Sequence, residues 1–292
     1  MSTITVEPVV FSGFHKGVAY ALNAYNRPDP SVLDPFIGPY TGLEIYAVKT
    51  FALTVPASRK VAHLGNDRLL KQQQFPPQEP ITGELGIGAE DLDLVALFTG
   101  ATVVAYAGAQ SMIYGSDLQG QEPNIGFMFS QDGLAESGPQ RYRNLLIPST
   151  KAVPRTPGAG ADPIDMIYDL APDNVEQHLW GELLSVLSDP SDPNSGVTET
   201  GAKTMAFEVL FSAYELRICS WLAQAAQVAF TFPEDKQAQN ATDVKVITAN
   251  GATVTEESAS DYTAATTGIT FNTAPVTTYG AGTEVHVLYQ LA

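Results

Sequence analysis

Segments in which apolar and polar residues alternate predict a protein built mainly from β-strands. Residues 43–62 and 81–87 are rich in small, β-branched or apolar residues, and 125–129 and 141–149 form a further pair around a glycine-containing loop. This composition is typical of half-buried strands. Residues 205–224 favour a long strand or hairpin, although a helix is also compatible with so apolar a run.

The strongest short-range signal is the Asn250-Gly251 pair between two alternating segments. Both residue types tolerate the positive φ that a two-residue hairpin turn requires, so strands are predicted on either side of the pair. Residues 268–271 and 284–289 supply two more strands. We therefore expect a small all-β unit over 231–292.

Two segments have the signals of short helices. In 89–100, acids occupy the first turn, where the helix dipole favours them, and Gly100 follows the end. The buried stripe of this helix is predicted to contain Leu92, Val95, Ala96 and Thr99. The second segment is 175–187, with Asn174 as a potential N-cap.

The N-terminal 45 residues are dense in turn formers, including Pro28, Pro30, Pro35 and Pro39. Because proline fixes φ and lacks a backbone donor, an extended arm or loops are expected over 1–45, packed on a neighbouring subunit or on their own domain. A main domain is predicted over 46–230, followed by the small unit. The expected fold class is mainly β (α+β), with one or two flanking helices and the C-terminal all-β unit.

The charge balance restricts the partners that the surface can bind. The 292 residues hold 32 acids against 15 bases, a net charge of −17, and such a surface repels phosphate. Between Gln72 and Gln140 there are nine acids and no lysine or arginine, which predicts either one strongly acidic face or a generally solvated acidic surface. No secretion signal or membrane span is expected, because the N terminus lacks a basic region and polar residues interrupt the uncharged stretch 94–116.

Candidate catalytic and metal-binding residues do not form recognisable motifs. The histidines, at positions 15, 63, 178 and 286, lack metal-binding spacing, and His286 is expected to be a surface or packing residue. The single cysteine, Cys219, lies in an apolar segment typical of a core. No Gly-x-Ser-x-Gly nucleophile motif is present. We therefore expect a protein that is not an enzyme and uses no metal or cofactor.

Two groups of segments resemble virion proteins of tailed bacteriophages. The first is similar to the strand, polar loop, strand and short helix of major tail tube proteins, and comprises 59–68, 74–77, Gly83-Glu84-Leu85 and 91–100. The second is similar to a small β-hairpin module common among phage tail components, and comprises 261–262, 268–271, 274–275, Gly282 and 285–289.

The resemblance implies a β-sandwich or partial barrel with one flanking helix. It also implies a structural virion protein whose subunits form rings that stack into the phage tail tube. The expected partners are other copies of the chain and other tail proteins, with genomic DNA passing through without specific binding and no membrane involved. The expected location is the virion tail, assembled in the host cytoplasm. Because an acidic lining repels DNA, the candidate lumen residues come first from 79–93 and second from 117–136. The first group comprises Glu79, Glu84, Glu90, Asp91 and Asp93.

Two other classes of function stay open. Another virion component, such as a capsid decoration or head–tail connector protein, would also suit a proline-rich arm and a β-rich C terminus. A glycan-binding or hydrolytic module would use clustered acids together with tyrosines such as Tyr106, Tyr114 and Tyr142.

Overall fold

The computed structural model has the mainly β architecture that the alternating segments predict. It describes residues 11–32, 39–46, 48–56, 59–65, 68–75, 80–88, 91–106, 109–113, 122–133, 142–155, 166–173, 175–176, 204–205 and 208–292. The elements of the first half are β1 (Phe11–Ala21), β2 (Leu43–Ile45), β3 (Val48–Thr54), β4 (Arg59–Gly65), β5 (Arg68–Phe75), β6 (Thr82–Ile87), α1 (Leu92–Thr99), β7 (Thr102–Tyr106), β8 (Ala109–Ile113) and β9 (Ile125–Gly133). Those of the second half are β10 (Tyr142–Pro154), β11 (Met166–Pro172), β12 (Val175–Glu176), β13 (Thr204–Met205), β14 (Glu208–Ser212), β15 (Leu216–Leu222), β16 (Ala229–Thr231), β17 (Lys245–Asn250), β18 (Thr253–Glu256), β19 (Tyr262–Ala265), β20 (Gly268–Phe271), α2 (Pro275–Tyr279) and β21 (Glu284–Gln290).

The largest sheet is antiparallel and curls into a partial barrel, called the barrel below. Its strand order is β2-β1-β9-β10-β11-β6-β3, and β14 joins it by pairing with the first half of β10. β2 and β3 lie at opposite ends of this order, yet only residues 46–47 separate them in the chain. The last strand of the sheet therefore returns to the first. Consistent with this closure, the Phe51 ring on β3 lies 4.6 Å from the Phe129 ring on β9, centroid to centroid.

Aromatic rings fill the interior of the barrel. Phe127 and Phe129 stack with centroids 5.3 Å apart, and Phe98 of α1 meets Phe127 and Tyr168 edge-on at 5.5 and 4.8 Å. All four side chains are buried. Because buried aromatic residues remove large apolar areas from water and also gain from edge-on contacts, this cluster stabilises the barrel and anchors α1 to it.

The helix α1 lies inside its predicted segment but buries a different face. Asp91 is its N-cap, accepting a hydrogen bond from the Asp93 backbone N–H at 3.0 Å, and Gly100 ends it with a φ of 72°. The predicted stripe of Leu92, Val95, Ala96 and Thr99 is wrong in part. The residues actually buried are Leu94, Val95, Phe98 and Thr99. The helix is rotated in this way because Phe98 enters the ring cluster of the barrel.

The N-terminal segment contributes a core strand, so the expectation of an arm over 1–45 is wrong for residues 11–21. β1 pairs with β2 on one side and with β9 on the other, and Val18, Ala19 and Tyr20 are buried. The prolines that suggested an arm come after this strand, where 22–32 is a loop ending in a 3-10 turn. The prolines therefore lie beyond β1 and do not interrupt its pairing.

Three strand pairs stand apart from the barrel sheet: β4–β5, β7–β8 and β12–β13. The first of them is inserted between β3 and β6, which are neighbours in the barrel. The helix predicted over 175–187 is wrong at its start, because Val175 and Glu176 pair with β13. The rest of that segment, with Asn174, lies outside the described residues. A partner far along the chain overrides the local helical preference here.

The C-terminal unit is a sandwich of two antiparallel sheets, β15-β21-β17-β18 and β16-β20-β19. The core between them includes Trp221, Phe230 and Phe232, and the Phe232 ring stacks on Tyr289 at 4.3 Å. The sheets already include β15 and the start of β16, which lie before the predicted limit at 231, because these strands pair with β21 and β20.

The predicted hairpin is present as β17–β18, but its turn uses other residues. Asn250 pairs with Thr253, so the turn consists of Gly251 and Ala252, and of these two only Gly251 has a positive φ, 57°. This is the arrangement of a hairpin turn with glycine at its first central position. Asn250 stays in the strand and donates its side-chain amide to the Tyr279 carbonyl at 2.7 Å.

The barrel and the sandwich are joined by a shared apolar core. Met128 and Leu146 of the barrel pack in one cluster with Ile218 and Leu288 of the sandwich. Beside them, residue 40 pairs with Ser220 on β15: each backbone N–H donates to the carbonyl of the other residue at 2.8 Å. We call this contact region the junction. In the described ranges, no helix is long and apolar enough to cross a membrane.

Candidate functional site

The candidate lumen acids that the structure describes lie on β6 and at the start of α1. Glu84 is on β6, whereas Asp91 and Asp93 are at the N-terminal end of α1. Glu79 and Glu90 lie outside the described residues. The N terminus of a helix carries a partial positive charge, and the negative charges of both aspartates are favourable there. Part of the role of these two residues is therefore to stabilise the start of α1.

Glu84 lies on an exposed face of the barrel, outside the apolar core. In the strand register it is flanked by Ala52 on β3 and Asp169 on β11, and Asp169 is paired in turn with Val153 on β10. The residues that alternate with them, such as Leu85, are buried inside the barrel. We call the surface formed by Ala52, Glu84, Val153 and Asp169 the outer sheet face.

A cation partly neutralises the outer sheet face. Arg155 lies 2.9 Å from a Glu84 carboxylate oxygen and donates two hydrogen bonds to Asp169, at 3.0 and 2.5 Å. One guanidinium therefore lies between two carboxylates, so this part of the surface is less acidic than the sequence around Glu84 predicts. The reason is that Arg155 reaches Glu84 through the pairing of β10, β11 and β6, which the local sequence does not reveal.

The junction holds a group of charged residues that the sequence analysis missed. Glu44 is within 3.3–3.5 Å of three cationic groups, on Lys16, Arg217 and Lys236. Burial alone would raise the pKa of Glu44, but the hydrogen bond from Tyr46 and the three cations outweigh it and lower that pKa to about 2. Glu44 is therefore ionised at neutral pH and ties β2 and β1 to the sandwich.

A second polar network crosses the junction through Ser220, His286, Glu284 and Arg27. Ser220 Oγ is 2.8 Å from His286 Nδ1, and His286 Nε2 is 3.1 Å from Glu284 Oε2. Arg27 Nε donates to the same carboxylate oxygen at 3.1 Å. A hydroxyl, an imidazole and a carboxylate connected in this order by hydrogen bonds are also the parts of a hydrolase triad.

The burial of this network gives it a structural role. Ser220 and His286 are fully buried, and both backbone polar groups of Ser220 are bonded to residue 40. A substrate has no route to the Ser220 hydroxyl, so these groups satisfy one another across the junction. A signal for both networks is present in the sequence: Arg217 and His286 lie inside strands that are mainly apolar, and Glu284 begins the second of these strands.

His286 is expected to make the stability of the protein depend on pH. Burial lowers its pKa below the ordinary value of 6.5, and the neighbouring Glu284 offsets this only in part. Below about pH 6.5 this imidazole binds a proton in the unfolded chain more readily than in the folded chain. The free energy of unfolding should therefore decrease as the pH falls, by up to about 1.4 kcal/mol per pH unit.

This pH dependence can be measured by urea unfolding between about pH 7.5 and pH 5.5. The matched variant is His286→Gln, which keeps hydrogen-bonding capacity but cannot be protonated. It should lose stability less steeply over this range. A slope equal to that of the unmodified protein would contradict the role given to His286.

Two further sequence-based expectations concern candidate chemistry. Cys219 was expected in the core, and this is confirmed: it is fully buried, and burial raises the pKa of its thiol. In the part of the chain that the structure describes, no group of three or more His, Cys, Asp and Glu residues could hold a metal ion.

Comparison with protein-family models and with curated protein sequences finds no match for this chain.

Proposed function

We propose that this protein is a non-enzymatic virion subunit that forms rings, and that the rings stack into the tail tube of a long-tailed bacteriophage. The observation that carries the proposal is the outer sheet face, an exposed sheet surface on a barrel that bears small side chains and carboxylates. If the subunits form a ring in which this face of each copy is directed inward, the faces together form a regular inner wall. Ring closure also protects exposed sheet edges. The segments that resemble tail tube proteins include β6, which carries Glu84 of this face.

In the proposed ring the outer sheet face lines the bore. Glu84 and Asp169 supply two carboxylates to this face, where the cations are Arg155 and Lys151, which lies two residues before Val153 on the same side of β10. The whole chain has a net charge of −17. A wall of this sign repels phosphate, so DNA passes along the tube without binding to it. Glu79 and Glu90 stay candidates for the same lining.

Electron microscopy of the purified protein at increasing concentration tests the assembly. The expected result is hollow rings or stacked tubes. A protein that stays monomeric at high concentration and enters no tube would contradict the proposal. Subunits that instead bind to a capsid shell, or that form a single ring between head and tail, would support the alternative of a decoration or connector protein.

Cysteine labelling tests which surface faces the bore. Glu84 and Glu256 are matched acids, one on the outer sheet face and one on β18 of the sandwich, with side chains 40% and 42% exposed. The native Cys219 is buried, so Glu84→Cys and Glu256→Cys would each add one reactive thiol. In assembled tubes, a small maleimide should label both variants, whereas a maleimide attached to a polymer wider than the bore should label only Glu256→Cys. Equal labelling of Glu84→Cys by the bulky reagent would show that the outer sheet face does not line the bore.

A further inference from the structure

The sandwich contains two adjoining clefts beside α2. The first has a volume of about 290 Å³. It is lined by Thr248, Asn250, Thr253, Thr255, Thr278 and Tyr279. The second has a volume of about 230 Å³ and shares Thr278 and Tyr279 with the first. We call the pair the Tyr279 clefts.

The shared wall of the Tyr279 clefts is held in place by buried hydrogen bonds. Glu257, whose exposed fraction is only 9%, accepts a hydrogen bond from Thr248. The Tyr279 hydroxyl lies beside these two side chains, and partial burial together with the Glu257 carboxylate raises its pKa. Behind it, Asn250 donates to the Tyr279 carbonyl at 2.7 Å. The ring is thus oriented before any ligand arrives, which reduces the entropy that binding has to offset.

The lining chemistry is that of hydroxyl recognition. Each threonine hydroxyl both donates and accepts hydrogen bonds, and the carboxylates of Glu257 and Asp261 in the second cleft accept them. Tyr279 adds an aromatic surface of the kind on which an apolar ring face can rest. Ligands that present many hydroxyl groups around a compact ring match both features.

We propose that the Tyr279 clefts bind a neutral saccharide. Each volume is at or below the lower end of the range for drug-sized ligands, which suits one sugar ring in a cleft. The carboxylates of Glu257 and Asp261 disfavour acidic sugars and phosphates, and among the described lining residues there is no lysine or arginine to offset them. The site uses residues other than the tyrosines considered from sequence, and it does not depend on tube formation.

Saturation-transfer NMR on the full-length protein tests this site. The probes are methyl glycosides of glucose, galactose, mannose and N-acetylglucosamine, with glucuronic acid and N-acetylneuraminic acid as acidic counterparts. The expected result is saturation transfer to at least one neutral sugar at millimolar concentration and none to the acidic sugars.

Two matched variants locate the binding. Thr278 and Thr270 are both exposed, but only Thr278 lines the clefts. In Thr278→Arg the long side chain should occupy the space of the clefts and weaken binding by about tenfold or more. Thr270→Arg on β20 should leave binding unchanged. Both variants should unfold at the temperature of the unmodified protein, which separates loss of binding from loss of fold. Absence of transfer to all four neutral sugars, equal transfer to the acidic sugars, or binding that persists in Thr278→Arg would overturn the proposal.

Discussion

Arg217→Ala is expected to lower the free energy of unfolding by about 3–5 kcal/mol. Arg217 is fully buried at the junction, and its Nη2 lies 2.5 Å from Glu215 and 3.4 Å from Glu44. The truncation leaves the Glu215 carboxylate, which is only 13% exposed, without this cation and opens a cavity in a closed region. Glu44 keeps its contacts with two lysines, so most of the loss comes from Glu215 and from packing. Urea unfolding followed by tryptophan fluorescence measures the effect, since Trp221 lies in the sandwich core.

Two further substitutions separate charge from packing. Arg217→Met retains much of the side-chain volume, so it should lower the free energy of unfolding less than Arg217→Ala does. Among the described residues, Nε and Nη1 of Arg217 have no hydrogen-bond partner, so the polar contacts that Met loses are those of Nη2. Arg155→Ala removes an arginine that is also ion-paired but half exposed, and screening by solvent should make its effect much smaller. If Arg217→Ala were no more destabilising than Arg155→Ala, the buried ion pairs would not be what ties the two units together.

Phe98→Ala is expected to lower the free energy of unfolding by about 3–5 kcal/mol as well. The ring is fully buried between Phe127 and Tyr168, and neighbours fixed in a curled sheet cannot collapse into the space that it leaves. The substitution also releases the main apolar contact of α1 with the barrel. Thermal unfolding monitored by circular dichroism checks the loss.

The control for this prediction is an aromatic residue outside the core. Tyr214 is 38% exposed, and Tyr214→Ala should change stability far less than Phe98→Ala. Phe98→Leu, which leaves a smaller void, should fall between the two. A Phe98→Ala variant as stable as Tyr214→Ala would mean that α1 does not depend on the ring cluster for its position.

The two units of the protein carry proposals that can fail separately. The barrel provides the outer sheet face and the ring that it implies, whereas the sandwich provides the Tyr279 clefts. Tubes without saccharide binding would leave the first proposal intact, and a monomer that binds neutral sugars would leave the second. The junction connects them, because a subunit whose sandwich is held by buried ion pairs keeps its clefts at a fixed position on the barrel.

Elements with strong local signals could be predicted from the sequence. Asp91 and Gly100 delimit α1 because a side-chain cap and a left-handed residue act within one turn of the chain. The strands near 125–129, 268–271 and 284–289 follow from short runs of mostly apolar residues, which are typical of strands buried on both faces. The hairpin at Asn250-Gly251 was found as well, although pairing moved its turn by one residue.

By itself, then, the sequence determined that the protein is mainly β, that it is strongly acidic and that Cys219 belongs to a core, because periodicity, net charge and side-chain polarity are local or additive properties. Only the tertiary structure decided that β1 is a barrel strand, that Phe98 sets the buried face of α1, and that Arg155 lies between Glu84 and Asp169. It also assembled the ion pairs of Glu44 from residues of both units. Each of these depends on which distant strands pair and in which register, and that choice minimises the energy of the whole core rather than of any one segment.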